Sequence, residues 1–130
     1  ASFPEAVEVR AVVEGTFLSM RIHGARIGLR PTSILATGGA STNQELVRIV
    51  SNVFGVPVFV GDQANSAALG AAYRARHGWA CSEAGRFISF SEALPGPVPF
   101  KKAADPDPAA HTIYSSLVEQ FEQLEKDAGA

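Results

Sequence analysis

The sequence has little cysteine, no long apolar run and no strong excess of either charge. Its single cysteine, Cys81, excludes an internal disulfide and a zinc site built on several cysteines. No apolar stretch reaches the roughly 18–20 residues that a membrane-spanning helix needs. A net charge of −2 disfavours wholesale binding of nucleic acid. We therefore predict a protein of a reducing, cytoplasmic compartment, with no nucleic acid and no membrane among its partners.

The composition and charge pattern predict a folded domain with an internal boundary. Apolar residues make up 46% of the 130 residues and charged residues 18%, which is typical of globular domains. Residues 1–80 carry 7 basic and 5 acidic side chains, whereas residues 81–130 carry 4 and 8. Most prolines follow residue 94. We predict an α/β core over residues 1–80, an irregular, proline-rich segment over 81–110 and a C-terminal helix over 111–130. Because the chain opens without Met inside a predicted helix, we also expect a fragment of a longer protein.

Hydrophobic periodicity predicts a strand–helix–strand unit with packing helices. A first helix is predicted over residues 4–23, with Ser2 as its N-cap. Its apolar stripe consists of Ala6, Val9, Val13, Phe17 and Met20. A buried strand is predicted at 34–36, then a helix that starts from two overlapping capping boxes at Ser41 and Thr42 and ends at Gly55. A second strand at 58–60 should run parallel to the first.

A later helix carries an unusual face of small residues. The face is formed by Ala64, Ala67, Ala68, Ala71, Ala72 and Ala75. It would allow close backbone approach, and the helix is predicted to end near Gly78. The turn before it, Gly61–Ser66, offers Asp62, Asn65 or Ser66 as a cap and is expected to form the second side of a crevice.

The adjacent glycines Gly38 and Gly39 are the main candidate binding feature. They follow a predicted buried strand, so the backbone there can turn sharply and contact a flat or anionic ligand directly. The next helix would aim its free N–H groups at the same point. The spacing matches neither well-known nucleotide fingerprint, so a plain tight turn remains an alternative. For Asn43 the alternative to a ligand contact is an ordinary polar residue of the first helical turn.

Several stretches, in order, resemble the C-terminal lobe of the FGGY carbohydrate kinases. They are residues 34–43, residues 54–58 and residues 65–73. The opening helix and the final helix around Tyr114 and Leu124 are similar as well, so the resemblance covers nearly the whole chain. It implies an actin-like, hexokinase-type ATPase fold of the ribonuclease H-like class, with ATP bound between two lobes.

The resemblance also implies a function and a binding site. Gly38 and Gly39 would lie against the adenosine part of ATP, with Asn43 beside it, so residues 1–80 would be the nucleotide-contacting core. ATP and Mg²⁺ are the implied cofactors, and the γ-phosphate would pass to a ketose, D-xylulose. The catalytic carboxylate and first phosphate loop of the family would belong to an N-terminal lobe of the same protein. We therefore expect no catalytic and no metal-binding residue in this chain, and no activity from the chain alone.

Two other functions remain open from the residues themselves. One is a non-catalytic α/β module that binds a small ligand or a partner. The other is a Rossmann-type dinucleotide-dependent oxidoreductase, in which Asp62 would hold a ribose. The absence of a third glycine at the start of the helix counts against this second alternative.

Overall fold

The computed structural model describes residues 2–61, 65–94, 96 and 99–129. The elements are α1 (Glu5–Arg26), β1 (Ile34–Ala36), a 3-10 turn (Gly39–Thr42), α2 (Gln44–Phe54), β2 (Val58–Gly61), α3 (Ser66–Ala84), α4 (Phe90–Ala93), β3 (Phe100–Ala104) and α5 (Pro108–Ala128). The predicted mixed α/β class is confirmed. Within this part of the chain, no helix is long and apolar enough to cross a bilayer.

The three strands form one sheet in the order β1-β2-β3. β1 and β2 are parallel, with Ile34 opposite Val58, so the predicted strand–helix–strand unit is confirmed. β3 pairs antiparallel with the other edge of β2, and Lys101 lies opposite Val60. β1 is therefore an edge strand within this sheet, and its carboxyl end leads directly into the two glycines.

The core lies where α1, α2 and α5 meet. Leu18 from α1, Val53 from α2 and Tyr114 from α5 form its buried centre. The predicted stripe on α1 was wrong in part, since Val9 and Met20 are exposed. α1 is apolar around most of its circumference, so periodicity alone could not select its inner face.

Two predicted helix ends were wrong because the glycines there do not leave the helical conformation. α1 continues through Gly24, where a side chain would meet Leu29, and α3 passes Gly78 to end at Gly85 with φ +60°. Gly55 does end α2, with φ +69°. Only a glycine in the left-handed conformation supplies the terminating geometry. At the other end of α1, Pro4 is the N-cap residue and Ser2 provides no cap.

The segment 81–110, predicted to be irregular, contains regular structure. The last turn of α3, the short helix α4, the strand β3 and the first turn of α5 all lie in it. β3 is held by pairing with β2 rather than by an alternating pattern of its own. α5 begins at Pro108 instead of residue 111, because the side chain of Asp107 accepts hydrogen bonds from the amides of Ala109 and Ala110.

Candidate nucleotide-binding site

The two glycines after β1 have different structural roles. Gly38 has φ +81° and ψ −174°, a conformation that is essentially restricted to glycine. Gly39 has no positive φ, and a Cβ placed on it would meet no atom within 4 Å. The fold therefore requires glycine at position 38 but has no requirement for it at position 39. A missing side chain that the chain's own packing does not need leaves the backbone open to an outside group.

Two hydroxyl groups fix the shape of this turn. The Ser41 hydroxyl donates to the Gly38 carbonyl at 2.7 Å, and the Thr42 hydroxyl donates to the Gly39 carbonyl at 2.7 Å. The predicted capping boxes at these residues were wrong, because both lie in the 3-10 turn ahead of α2. Their role as turn residues was missed. A serine or threonine three residues after each glycine is the signal that could have indicated it.

Asn43 is the N-cap of α2. Its Oδ1 accepts from the amides of Glu45 at 3.0 Å and Leu46 at 3.2 Å. We expected the first amides of this helix to be free and to point at the site. That was wrong for the amides of Glu45 and Leu46, which donate to Asn43. The Nδ2 group of Asn43 has no hydrogen-bond partner within the described part of the chain, and the side chain is exposed. One residue thus caps the helix and still offers a donor next to the turn.

Two cavities flank the end of β1. We call the first the sheet-end cavity, of about 210 Å³; it is lined by Leu35, Thr37, Gly61, Ser66, Leu69, Gly70, Tyr73 and Phe100. The second, the edge groove, measures about 530 Å³ and lies between β1, α1 and α2, next to the 3-10 turn. Neither cavity has a charged residue among the described residues that line it. These surroundings suit an uncharged, flat group better than a phosphate.

The second predicted turn, Gly61–Ser66, lies only partly within the described residues. Asp62 and Ala64 lie outside the described residues. The residues on either side, Gly61 and Ser66, both line the sheet-end cavity together with Thr37 of the first turn. The described ends of the two strand-to-helix turns therefore face one space.

The alanine face of α3 does not pack closely against another described element. Ala68, Ala71, Ala72 and Ala75 are exposed, and a Cβ on Gly70 would meet nothing within 4 Å. α3 packs against α4, and its residues Leu69 and Tyr73 line the sheet-end cavity. The expected close approach is thus not made within this part of the chain.

The perturbed titratable groups lie away from the glycine turn. The hydrogen bond from Arg10 to Glu14 raises the pKa of Arg10, and burial raises the pKa of the Tyr114 hydroxyl. Burial lowers the pKa of Arg21, which donates to the Val53 carbonyl at 2.7 Å. All three stabilise the packing of α1 against α2 and α5. Among the described residues, no group of three or more His, Cys, Asp or Glu side chains is placed to bind a metal ion.

Sequence comparison decides the family. Residues 1–79 match the FGGY family of carbohydrate kinases, C-terminal domain. The chain belongs to this family. The family places it among carbohydrate kinases rather than with the dinucleotide-dependent oxidoreductases considered above.

The relatives of this FGGY chain are much longer than the chain itself. Xylulose kinase of Rattus norvegicus is 43% identical over 129 residues, which cover 97% of this chain and 24% of that protein. Xylulose kinase 2 of Arabidopsis thaliana is 45% identical over 96 residues, covering 72% of this chain and 17% of that protein. The chain therefore spans about a quarter or less of the relatives it matches.

Solved structures show the same fold. Ligand-bound xylulose kinase from Lactobacillus acidophilus superimposes with a TM-score of 0.73 at 22% identity, covering 93% of this chain and 24% of that chain. Gluconate kinase from the same species gives a TM-score of 0.72 at 22% identity, with the same coverage. The fold of the chain is therefore that of the FGGY sugar kinases, as the sequence resemblance predicted.

Proposed function

We propose that the chain is the nucleotide-binding C-terminal part of an ATP-dependent kinase that phosphorylates D-xylulose. The observation that carries the proposal is the turn after the carboxyl end of β1, where Gly39 lacks a side chain without any need from the fold. Membership of the carbohydrate kinases and the similarity to proteins named xylulose kinase support the reaction and the sugar. The sugar-binding N-terminal lobe would be supplied by the rest of a longer polypeptide, acting in the cytoplasm.

The adenosine part of ATP is the group that this turn suits. A purine ring can lie flat on the backbone of Gly38 and Gly39, since no side chain stands there. The amide of Asn43 offers a hydrogen-bond donor beside it. The uncharged lining of the sheet-end cavity, with the aromatic side chains of Tyr73 and Phe100, favours the nucleoside over the triphosphate.

The role of the chain in the reaction is positioning. Holding the adenosine fixes where the γ-phosphate points, and correct alignment is a large part of catalysis in phosphoryl transfer. When bound, Mg²⁺ would neutralise phosphate charge, and we propose that the other lobe supplies the side chains that hold it, since the described residues of this chain contain no group of three or more His, Cys, Asp or Glu placed for a metal ion. The carboxylate that accepts the proton of the sugar hydroxyl would lie on the other lobe. The 130 residues alone should therefore not phosphorylate D-xylulose.

A pair of matched substitutions tests the proposal. In the full-length protein, Gly39→Leu should place a side chain where the nucleoside lies and weaken ATP binding at least tenfold, about 1.4 kcal/mol. Its melting temperature should stay close to that of the parent, because the new Cβ meets no atom within 4 Å.

Gly78→Leu is the control for this test. Gly78 is also exposed with no atom near its missing Cβ, but it lies in the second half of α3, away from the turn. The ATP affinity of the Gly78→Leu variant, measured by calorimetry, should equal that of the parent. Equal affinity in the parent and in Gly39→Leu would refute the proposed binding site.

A further inference from the structure

A third cavity, which we call the arginine cavity, lies at the opposite end of β1 from the glycine turn. Its volume is about 280 Å³, and its walls come from the end of α1, the loop between α1 and β1, and the last residue of α2. Two cations, Arg21 and Arg30, line it, and the described lining contains no acidic residue. The apolar part of the lining is formed by Leu29, Pro31 and Phe54.

Arg21 is the enclosed cation of this cavity. Its Nη1 donates to the Val53 carbonyl at 2.7 Å, and its Nη2 donates to the Ser115 hydroxyl at 3.2 Å. Both contacts fix the guanidinium at the end of α2, but both acceptors are uncharged. The side chain is half-buried, and the loss of hydration lowers the pKa of Arg21. Its positive charge therefore lacks both full hydration and a counter-charge.

The other arginines of α1 do have carboxylate partners. Arg10 pairs with Glu14 at 2.6 Å, and Arg26 pairs with Glu125 at 3.3 Å. Both of these arginines are exposed, so water would also compensate their charge. Among the described residues, no carboxylate pairs with Arg21. The most enclosed arginine of the helix is thus the one whose counter-charge has to come from elsewhere.

Arg30 supplies the second positive charge from the loop after α1. Its Nη1 donates to the Ala25 carbonyl at 3.2 Å and to the Leu29 carbonyl at 2.9 Å, and all three residues line the cavity. A guanidinium carries five N–H donors on three nitrogens. The Nε and Nη2 groups of Arg30 have no partner within the described part of the chain, and neither does its charge. They are donors that a ligand can use.

We infer that the arginine cavity binds the phosphate group of a small molecule. A phosphate monoester carries about −1.5 to −2 charges at pH 7, which matches two guanidinium groups, whereas a carboxylate would neutralise only one. The planar arginine donors also suit the spacing of phosphate oxygens. Leu29, Pro31 and Phe54 offer apolar contact to the carbon part of the molecule. This inference does not depend on the proposed nucleotide site at the other end of β1.

Calorimetric titration of the full-length protein with ethyl phosphate tests the inference. Arg30→Gln removes one positive charge and the donors that are open to a ligand, so it should weaken ethyl phosphate binding about tenfold, as expected for loss of a charged hydrogen bond. Its melting temperature should stay close to that of the parent, because Arg30 is exposed.

Arg48→Gln is the matched control. Arg48 is also an exposed arginine, but it lies on α2 outside the cavity and pairs with Glu45 at 2.9 Å. This variant should bind ethyl phosphate like the parent. A phosphate bound at another site of the full-length protein would bind the parent and both variants equally. Equal affinities of the two variants, or no binding to the parent at about 10 mM ligand, would overturn the inference.

Two further ligands identify the chemistry that is recognised. Inorganic phosphate should bind more weakly than ethyl phosphate if the apolar lining contacts a carbon group, and equally if the free ion is the natural ligand. In both cases the binding should weaken in Arg30→Gln. Acetate, with a single charge, should bind the parent at least tenfold more weakly than ethyl phosphate. Acetate binding as tight as that of ethyl phosphate would overturn the assignment to phosphate.

Discussion

The helical side of the molecule is closely packed, whereas the end of β1 is open. Between α1, α2 and α5, buried side chains and polar groups satisfy one another. The His111 ring lies against Gly55 and bonds to the Asn52 carbonyl at 2.9 Å, and Tyr114 donates to Glu14 at 2.6 Å. At the end of β1, by contrast, Gly39 and the alanine face of α3 have open space beside them.

This difference separates residues that stabilise the fold from residues that are open to contact with a ligand. The helical side holds the described elements together and carries the perturbed pKa values of Arg10, Arg21 and Tyr114. Perturbed pKa values often mark functional sites, but here they report structural hydrogen bonds and burial. We therefore place the proposed nucleotide-binding site at the unfilled turn after β1 and not among these groups.

The largest expected effect is on the packed side. Leu18→Ala should reduce the free energy of unfolding by roughly 2–5 kcal/mol, because Leu18 is buried at the centre of the core. Urea denaturation measures this loss. Glu119→Ala, an exposed change on α5, is the control and should remain within about 0.5 kcal/mol of the parent. A similar small loss for Leu18→Ala would mean that the stabilising core lies elsewhere.

Asn43 allows a sharper comparison, because it stabilises the fold as the cap of α2 and also belongs to the proposed binding site. Asn43→Asp keeps the oxygen that caps α2 but removes the Nδ2 donor, so stability should be preserved while adenosine binding weakens about tenfold. Asn43→Ala should weaken binding and also cost about 1 kcal/mol of stability. Uncharged adenosine is the suitable ligand, since it avoids repulsion between Asp and phosphate. Full adenosine affinity in Asn43→Asp would leave Asn43 with the capping role alone.

The smallest expected effect concerns alkaline pH. Burial raises the pKa of Tyr114 above its ordinary value near 10, so the unfolded chain loses this proton at a lower pH than the folded one. The stabilising contribution of the neutral hydroxyl is complete below about pH 10 and is lost as the pH rises through the folded pKa. Tyr114→Phe should therefore flatten the fall in melting temperature above pH 10. If Tyr114→Phe leaves the fall in melting temperature unchanged, that fall is caused by other titrating groups.

The sequence predicted the local elements better than their surroundings. β1, α2 and β2 were found because Gly38, Gly55 and Pro57 delimit short apolar runs with clear periods. β3 was missed, since its stability comes from pairing with β2, and no local pattern encodes a distant partner. The inner face of α1 was misassigned because that helix is apolar on most sides.

That Gly38, Gly39 and Asn43 bind the nucleotide stays a prediction, but the structure adds the internal geometry of this turn, which the sequence did not predict. Gly38 and Gly39 were identified as a pair, yet only φ at each position shows that one serves the fold and the other does not. The role of Asn43 as a cap and those of Ser41 and Thr42 as turn residues depend on a 3-10 turn between strand and helix. When the start of a helix is predicted one or two residues too early, the capping role is assigned to the wrong residues, as it was for Ser41 and Thr42.

The position of the nucleoside tests the central claim most directly. Titrating AMP into the isotopically labelled full-length protein should shift the backbone amide resonances of Gly38, Gly39 and Asn43 most strongly, with smaller changes along the sheet-end cavity. Resonances of the α1, α2 and α5 core should remain in place. Large shifts confined to that core, or to any region that leaves the two glycines undisturbed, would contradict the account.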